Sequence, residues 1–102
     1  LEAGRPVDVN VSGLAADSLG ARRVGEKVFP IARRYVERVA LVADDAIRSA
    51  QAALWQTMRI VAEPGGAAAL AAILAGAYKP KDDERVAVVV SGGNTTAVDF
   101  GA

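Results

Sequence analysis

The side chains able to do chemistry in this sequence gather in three short runs: Ser91-Gly92-Gly93-Asn94, Glu63-Pro64-Gly65-Gly66 and Ala15-Ala16-Asp17-Ser18. In the first, a hydroxyl and an amide flank two glycines directly after the apolar run Val86-Ala87-Val88-Val89-Val90. Glycine lacks a Cβ and tolerates positive φ, so such a pair lets backbone N–H groups come close to a phosphate or a planar ring. The same pair could equally do no more than close a strand with a tight turn. In the second run, the Glu63 carboxylate can reach a cofactor or a substrate amine, or simply favour the start of the helix that follows. In the third, Asp17 and Ser18 offer either a polar wall or a capping pair.

Composition narrows the chemistry. The chain has no cysteine and no histidine, which removes thiolate nucleophiles, serine–histidine triads, disulfides and zinc sites built from those ligands. Carboxylates, hydroxyls, lysines or a cofactor remain. Twelve basic residues balance twelve acidic ones, so there is no electrostatic case for nucleic acid or an anionic membrane as partner. A G-x-G-x-x-G fingerprint ahead of a helix is absent, as is a P-loop lysine. Asp44, Asp45, Lys79, Lys81, Asp82, Asp83 and Glu84 read as caps and solvated turns.

The elements that must position these groups follow from periodicity. Arg85 to Val90 predicts a strand buried on both faces, hence a parallel sheet, and such sheets bind ligands beyond their carboxyl ends, where Ser91 to Asn94 lie. Val39 to Val42 predicts a second, brief buried strand. Between them, Asp44 is placed to cap a helix on which Ile47, Ala50, Leu54, Met58 and Val61 recur at helical spacing. Its opposite face carries Arg48, Gln51, Gln56 and Arg59 and is expected to be exposed, while Trp55 widens the apolar side. Ala67 to Tyr78 predicts a helix apolar all round, covered on most sides and stopped by Gly76 and Pro80. Earlier, Ser12 to Gly25 reads as loop with a helical turn, and Phe29 to Val36 as a short helix with Pro30 in its first turn.

The resulting order, helix, strand, helix, helix, strand, is α/β with a right-handed crossover between parallel strands. With 102 residues and 52% apolar content the chain can bury a modest core as one domain or part of one. Two strands make a poor sheet, and the buried strand and apolar helix call for partners beyond this chain. Leu1 to Gly4 looks like the last turn of a helix, and Ala102 follows Asn94 too soon for the helix of a βαβ unit, so the expectation is an excerpt from a larger domain. No segment reads as a membrane span or signal peptide, and the missing disulfides fit a reducing compartment; a cytoplasmic location is expected.

Taken in order, Ala15-Ala16-Asp17-Ser18, Phe29-Pro30, Ala43-Asp44-Asp45-Ala46-Ile47, Glu63-Pro64-Gly65-Gly66-Ala67 and Ser91-Gly92-Gly93-Asn94 resemble the closing part of the catalytic domain of the threonine dehydratase (threonine ammonia-lyase) and serine racemase family. These are pyridoxal-phosphate enzymes of the tryptophan synthase β-like fold, called fold type II. The resemblance runs along essentially the whole chain. It implies that residues 1–102 are a C-terminal fragment of such a domain, three to four helices around two or more parallel strands. It further implies pyridoxal 5'-phosphate as cofactor, threonine or serine as substrate, a homo-oligomer, and a place in amino-acid metabolism such as isoleucine biosynthesis. The reaction implied is β-elimination of the hydroxyl to give a 2-oxo acid and ammonia.

In that family the serine matching Ser91 hydrogen-bonds the pyridine nitrogen of the cofactor. A neutral hydroxyl does not hold that nitrogen protonated, so the ring is a milder electron sink and loss of a β-hydroxyl competes well. The resemblance also gives Gly92, Gly93 and Asn94 the loop around the ring, and Glu63 a place close to the cofactor. Ser18 stands where the family usually has glycine beside the cofactor, so a backbone role survives there better than one needing glycine's torsions. The Schiff-base lysine, the phosphate loop, the substrate-carboxylate loop and the cation ligands would all lie before Leu1. This leaves the chain with no catalytic residue and no metal ligand of its own.

Two other readings stay open. One is a non-catalytic oligomerisation or interaction module derived from the same fold; the other is a small phosphate- or nucleotide-binding domain using the glycine loop. Lys27, Lys79 and Lys81 lie outside any Schiff-base motif, so the 102-residue chain alone is expected to be inactive. Mixing it with pyridoxal phosphate should give no visible aldimine absorbance that borohydride bleaches while linking the cofactor covalently to one lysine; such a reducible adduct would contradict this reading.

Overall fold

The structure is a computed structural model and describes residues 1–98 and 100, the side chains of Asp17 and Ser18 excepted. Four helices follow one another among the described residues: α1 (Ala16–Leu19), α2 (Val28–Tyr35), α3 (Asp44–Met58) and α4 (Pro64–Leu74). The expected helical turn after Ser12 is α1, and the expected helix around Pro30 is α2, anchored by the buried Phe29.

α3 forms over most of the predicted span and buries Ile47, Ala50 and Leu54, but Met58 at its end is exposed and Val61 lies beyond it, because the left-handed Arg59 stops the helix first. Its start differs by one residue from the expectation. Ala43, with ψ 157°, occupies the cap, and Asp44 lies inside the first turn without a capping hydrogen bond. There Asp44 and Asp45 complement the positive end of the helix dipole instead. The helix ends at Arg59, which adopts a left-handed conformation at φ 54° and ψ 34°.

α4 begins three residues earlier than its alanine run. Glu63 is its cap and Pro64 its first residue, a position where the missing N–H would have had no partner in any case. It stops at Leu74 rather than Tyr78, with Gly76 just beyond. Pro64, Gly66, Ala67 and Ala71 are its buried residues, and their small size allows α4 to lie close against α3. The core so formed comprises Ile47, Ala50, Leu54, Ala62, Ala67 and Ala71, with Leu14, Val42 and Leu70 among the residues packed on its edge. Only Ala69 and Leu74 of α4 are exposed, so the helix is covered on most sides, as its all-round apolar character predicts.

Neither expected strand is a strand. No β-ladder occurs among the described residues, and the segments are exposed where the apolar runs call for burial: Val39 is 65%, Leu41 87% and Val89 79% accessible. Apolar runs report a demand for burial, whereas a strand exists only when a neighbour takes up its N–H and C=O groups. The first segment nevertheless alternates as a strand does, and the second does so only in part. Ala40 and Val42 from one, and Val86, Ala87 and Val88 from the other, line a shared groove with Ala68 and Ala72 of α4, while Val39, Leu41 and Val89 are exposed. Beside this groove the Tyr78 hydroxyl donates to the Glu84 carboxylate at 2.6 Å, and Arg38 donates to the Ala77 carbonyl at 2.9 Å. The hydrogen bond to Glu84 raises the Tyr78 pKa above its ordinary value.

Among the described residues no helix is long and apolar enough to cross a membrane. Since Leu54 is 1% exposed at the α3–α4 contact, Leu54→Ala should cost about 2–5 kcal/mol of stability. Urea denaturation checks this, and a loss below about 1 kcal/mol would place Leu54 outside a packed core.

Candidate functional site

Two of the three chemistry-bearing runs meet. Residues 61–66 and 91–93 pass each other in opposite directions, with Val61 opposite Gly93, Glu63 opposite Gly92 and Gly66 opposite Ser91. The Glu63 N–H donates to the Gly92 carbonyl at 2.7 Å. Gly66, in the first turn of α4, has the Ser91 carbonyl where a Cβ would stand. Gly92 adopts φ +72°, and the Glu63 side chain fills the place its own Cβ would take. Glycine is therefore required twice, once for a backbone-to-backbone approach and once for a left-handed turn against a neighbour. The glycines of the two runs belong to a single junction.

At this junction Ser91, Gly93 and Asn94 are exposed, while Gly92 and Glu63 are half-buried. Among the described residues the Ser91 hydroxyl has no hydrogen-bond partner. Glu63 makes no side-chain cap on α4. Its side chain lies over Gly92, at the cap position of α4, where a carboxylate also favours the helix start. For Ser18, the polar-wall or capping expectation concerns a side chain outside the described ones, while the backbone expected to stand beside a cofactor belongs to α1, which packs on α4. Lys27, Lys79 and Lys81 are all exposed, with Lys27 at the cap of α2 and the other two beyond the end of α4. Among the described residues no group of acidic side chains could hold a metal ion.

The helical pattern puts one contributor on the wrong face. Gln51 is 4% exposed, not solvated, and its amide donates to the Ala62 carbonyl at 2.9 Å and the Ala97 carbonyl at 3.0 Å. A sequence signal for this exists. Gln51 follows Ile47 by four residues and precedes Leu54 by three, which is the spacing of a buried stripe. Trp55 is likewise not in the core: it is half-buried and stacks on Phe100, ring centroids 4.8 Å apart.

The arrangement thus presents a hydroxyl with no described partner, a carboxylate and a glycine-lined turn, with every lysine elsewhere. Residues 1–92 match the family described as pyridoxal-phosphate dependent enzyme, and the chain belongs to that family. Among solved structures it is similar to the crystal structure of a T.th. threonine deaminase, with a TM-score of 0.80 and 35% identity over 92% of this chain and 34% of that one. The fold is accordingly part of the tryptophan synthase β-like fold. Among characterised relatives it is 40% identical to the biosynthetic L-threonine dehydratase of Salmonella typhimurium, over 92% of this chain and 18% of the relative. It is 42% identical to the serine racemase of Dictyostelium discoideum over 70% of this chain and 22% of the relative. It is 34% identical to the phenylserine dehydratase of Ralstonia pickettii over 97% of this chain and 30% of the relative. The chain therefore spans between 18% and 30% of the length of these relatives.

The junction makes a steric prediction. Gly66→Ala drives a methyl into the Ser91 carbonyl and should cost about 1–3 kcal/mol; Gly92→Ala should cost about 1–2 kcal/mol from its φ alone. Thermal unfolding of both variants checks this, and unchanged midpoints would mean the two runs do not touch.

Proposed function

We propose that residues 1–102 are the C-terminal part of the catalytic domain of a pyridoxal-phosphate-dependent threonine or serine dehydratase. The complete enzyme removes the β-hydroxyl of its amino-acid substrate and releases a 2-oxo acid and ammonia. One observation carries this reading: the Glu63 and Ser91 runs, which resemble the family's motifs separately, interlock through glycines, with the Ser91 hydroxyl exposed and without a partner among the described residues. The similarity to threonine dehydratases over 92% of the chain supports it.

The residues of the junction fit one end of the cofactor. Pyridoxal phosphate, when bound, supplies an electron sink for the bond broken at the substrate's Cα. Ser91 would meet the ring nitrogen with a neutral hydroxyl that stabilises no added positive charge there, unlike a carboxylate. Gly92, Gly93 and Asn94 would flank the ring and exclude water from its edge. Glu63, held over Gly92, would set the position of that turn and present a carboxylate beside it, and Ser18 would contribute backbone. The covalent lysine and the phosphate cradle would come from sequence outside this chain.

In the complete domain, 39–42 and 86–90 would be parallel strands, with the exposed Val39, Leu41 and Val89 covered. A homo-oligomer in the cytoplasm fits the relatives' chemistry. The same exposed side chains favour a second reading, a non-catalytic module that buries them in an oligomer. Light scattering of the chain alone tells the two apart: a discrete, stable oligomer without cofactor supports the module, and aggregation supports a dehydratase fragment.

Ser91→Ala and Ser91→Asp in the complete enzyme test the main reading. Each should lower β-elimination by on the order of tenfold, about 1.4 kcal/mol in the barrier, and Asp should also alter the cofactor's absorption. Unchanged elimination rates in both variants would remove the role given to Ser91.

A further inference from the structure

We propose that Gln51 is a positioning residue that sets the Ser91–Asn94 loop against Glu63; this deepens the function proposed above and rests on it. Its amide is a buried polar group in the core, 4% exposed, on a helical stripe that Ile47 and Leu54 otherwise fill with hydrocarbon. A leucine or methionine would pack there without the need to satisfy an amide. The amide instead donates to two carbonyls that are distant in sequence, Ala62 at 2.9 Å and Ala97 at 3.0 Å.

Those two carbonyls bracket the junction. Ala62 immediately precedes Glu63, and Ala97 lies three residues after Asn94. Gly92 is tied to Glu63 through its own carbonyl, at 2.7 Å. The loop is therefore fixed at its near end by Glu63 and at its far end by Gln51, and both fixings refer back to the same rigid helix. One turn further along α3, Trp55 stacks on Phe100 at 4.8 Å, a second hold on the chain leaving the loop. A site is only as well placed as the groups that hold its first contacts, and here one side chain holds both arms.

The test uses the complete enzyme with Gln51→Met, which keeps the buried volume and removes both donors, and Gln51→Asn, whose shorter amide reaches one carbonyl at most. Gln56→Met, on the exposed side of α3, is the control for the chemical change. Far-UV circular dichroism reports folding. Pyridoxal phosphate titrated into the apoenzyme gives the cofactor affinity. The circular dichroism induced in the bound, achiral cofactor reports how firmly it is seated, a signal that helix packing alone would not move.

Gln51→Met should fold with the helix content of the control, bind pyridoxal phosphate about tenfold more weakly, and lose most of the induced signal; Gln51→Asn should fall between. Wild-type affinity and induced signal in Gln51→Asn would overturn the proposal even if Gln51→Met fails to accumulate, and the same in a folded Gln51→Met would overturn it outright. Ser91→Ala, measured alongside, separates the two layers. If it perturbs the cofactor signal and Gln51→Met does not, only the positioning role falls; if neither does, the cofactor site itself is misplaced.

Discussion

The contact between Glu63 and Gly92 is the constraint on which the rest of the described structure depends. It requires that a residue at the start of α4 and a residue beyond an apolar run share one small volume, and only glycine at 66 and 92 leaves that volume open. Everything around it serves this approach. Pro64 starts α4 without wasting a donor, the alanines of α4 let it settle on α3, and α3 supplies the amide that ties down both arms. A cluster built mostly of alanines buries little hydrocarbon per residue, so its stability leans on close approach rather than on large side chains.

That economy has a counterpart on the other side of α4. The segments 39–42 and 86–90 keep some side chains on the helix and leave other valines and a leucine exposed to solvent. A two-sided apolar segment suits a sheet, and in the parallel sheet proposed for the complete domain the Ser91 hydroxyl at the tip of the second segment would lie at the carboxyl end, where such sheets place their ligands. Fold and site are thus one arrangement: the run that demands burial also delivers the hydroxyl.

Much of this is legible in the residues. Helical spacing locates α2 and α3, the proline and glycines mark the beginning and end of α4, and the ordered motifs identify the family. Ladder formation is not legible, because an apolar run encodes what a segment needs and not whether a partner is present. The cap of α3 falls one residue before the expected one, since Asp44 stabilises a helix start from the first turn as well as from the cap. Gln51 reads as exposed only if polarity is weighed above position: at its spacing from Ile47 and Leu54 the stripe is buried whatever occupies it, and an amide can join it when carbonyls are waiting. The meeting of Glu63 with Gly92 cannot be read from either run alone, since it depends on where two loops distant in sequence come together.

The central claim is that the junction of Glu63 and Ser91 forms the wall that receives the ring nitrogen of pyridoxal phosphate. A crystal structure of the complete enzyme with its cofactor measures this directly. The Ser91 hydroxyl should lie within about 2.6–3.2 Å of the ring nitrogen, with the Glu63 side chain still over Gly92. A ring nitrogen facing solvent or another residue, with Ser91 beyond hydrogen-bonding reach, would contradict it.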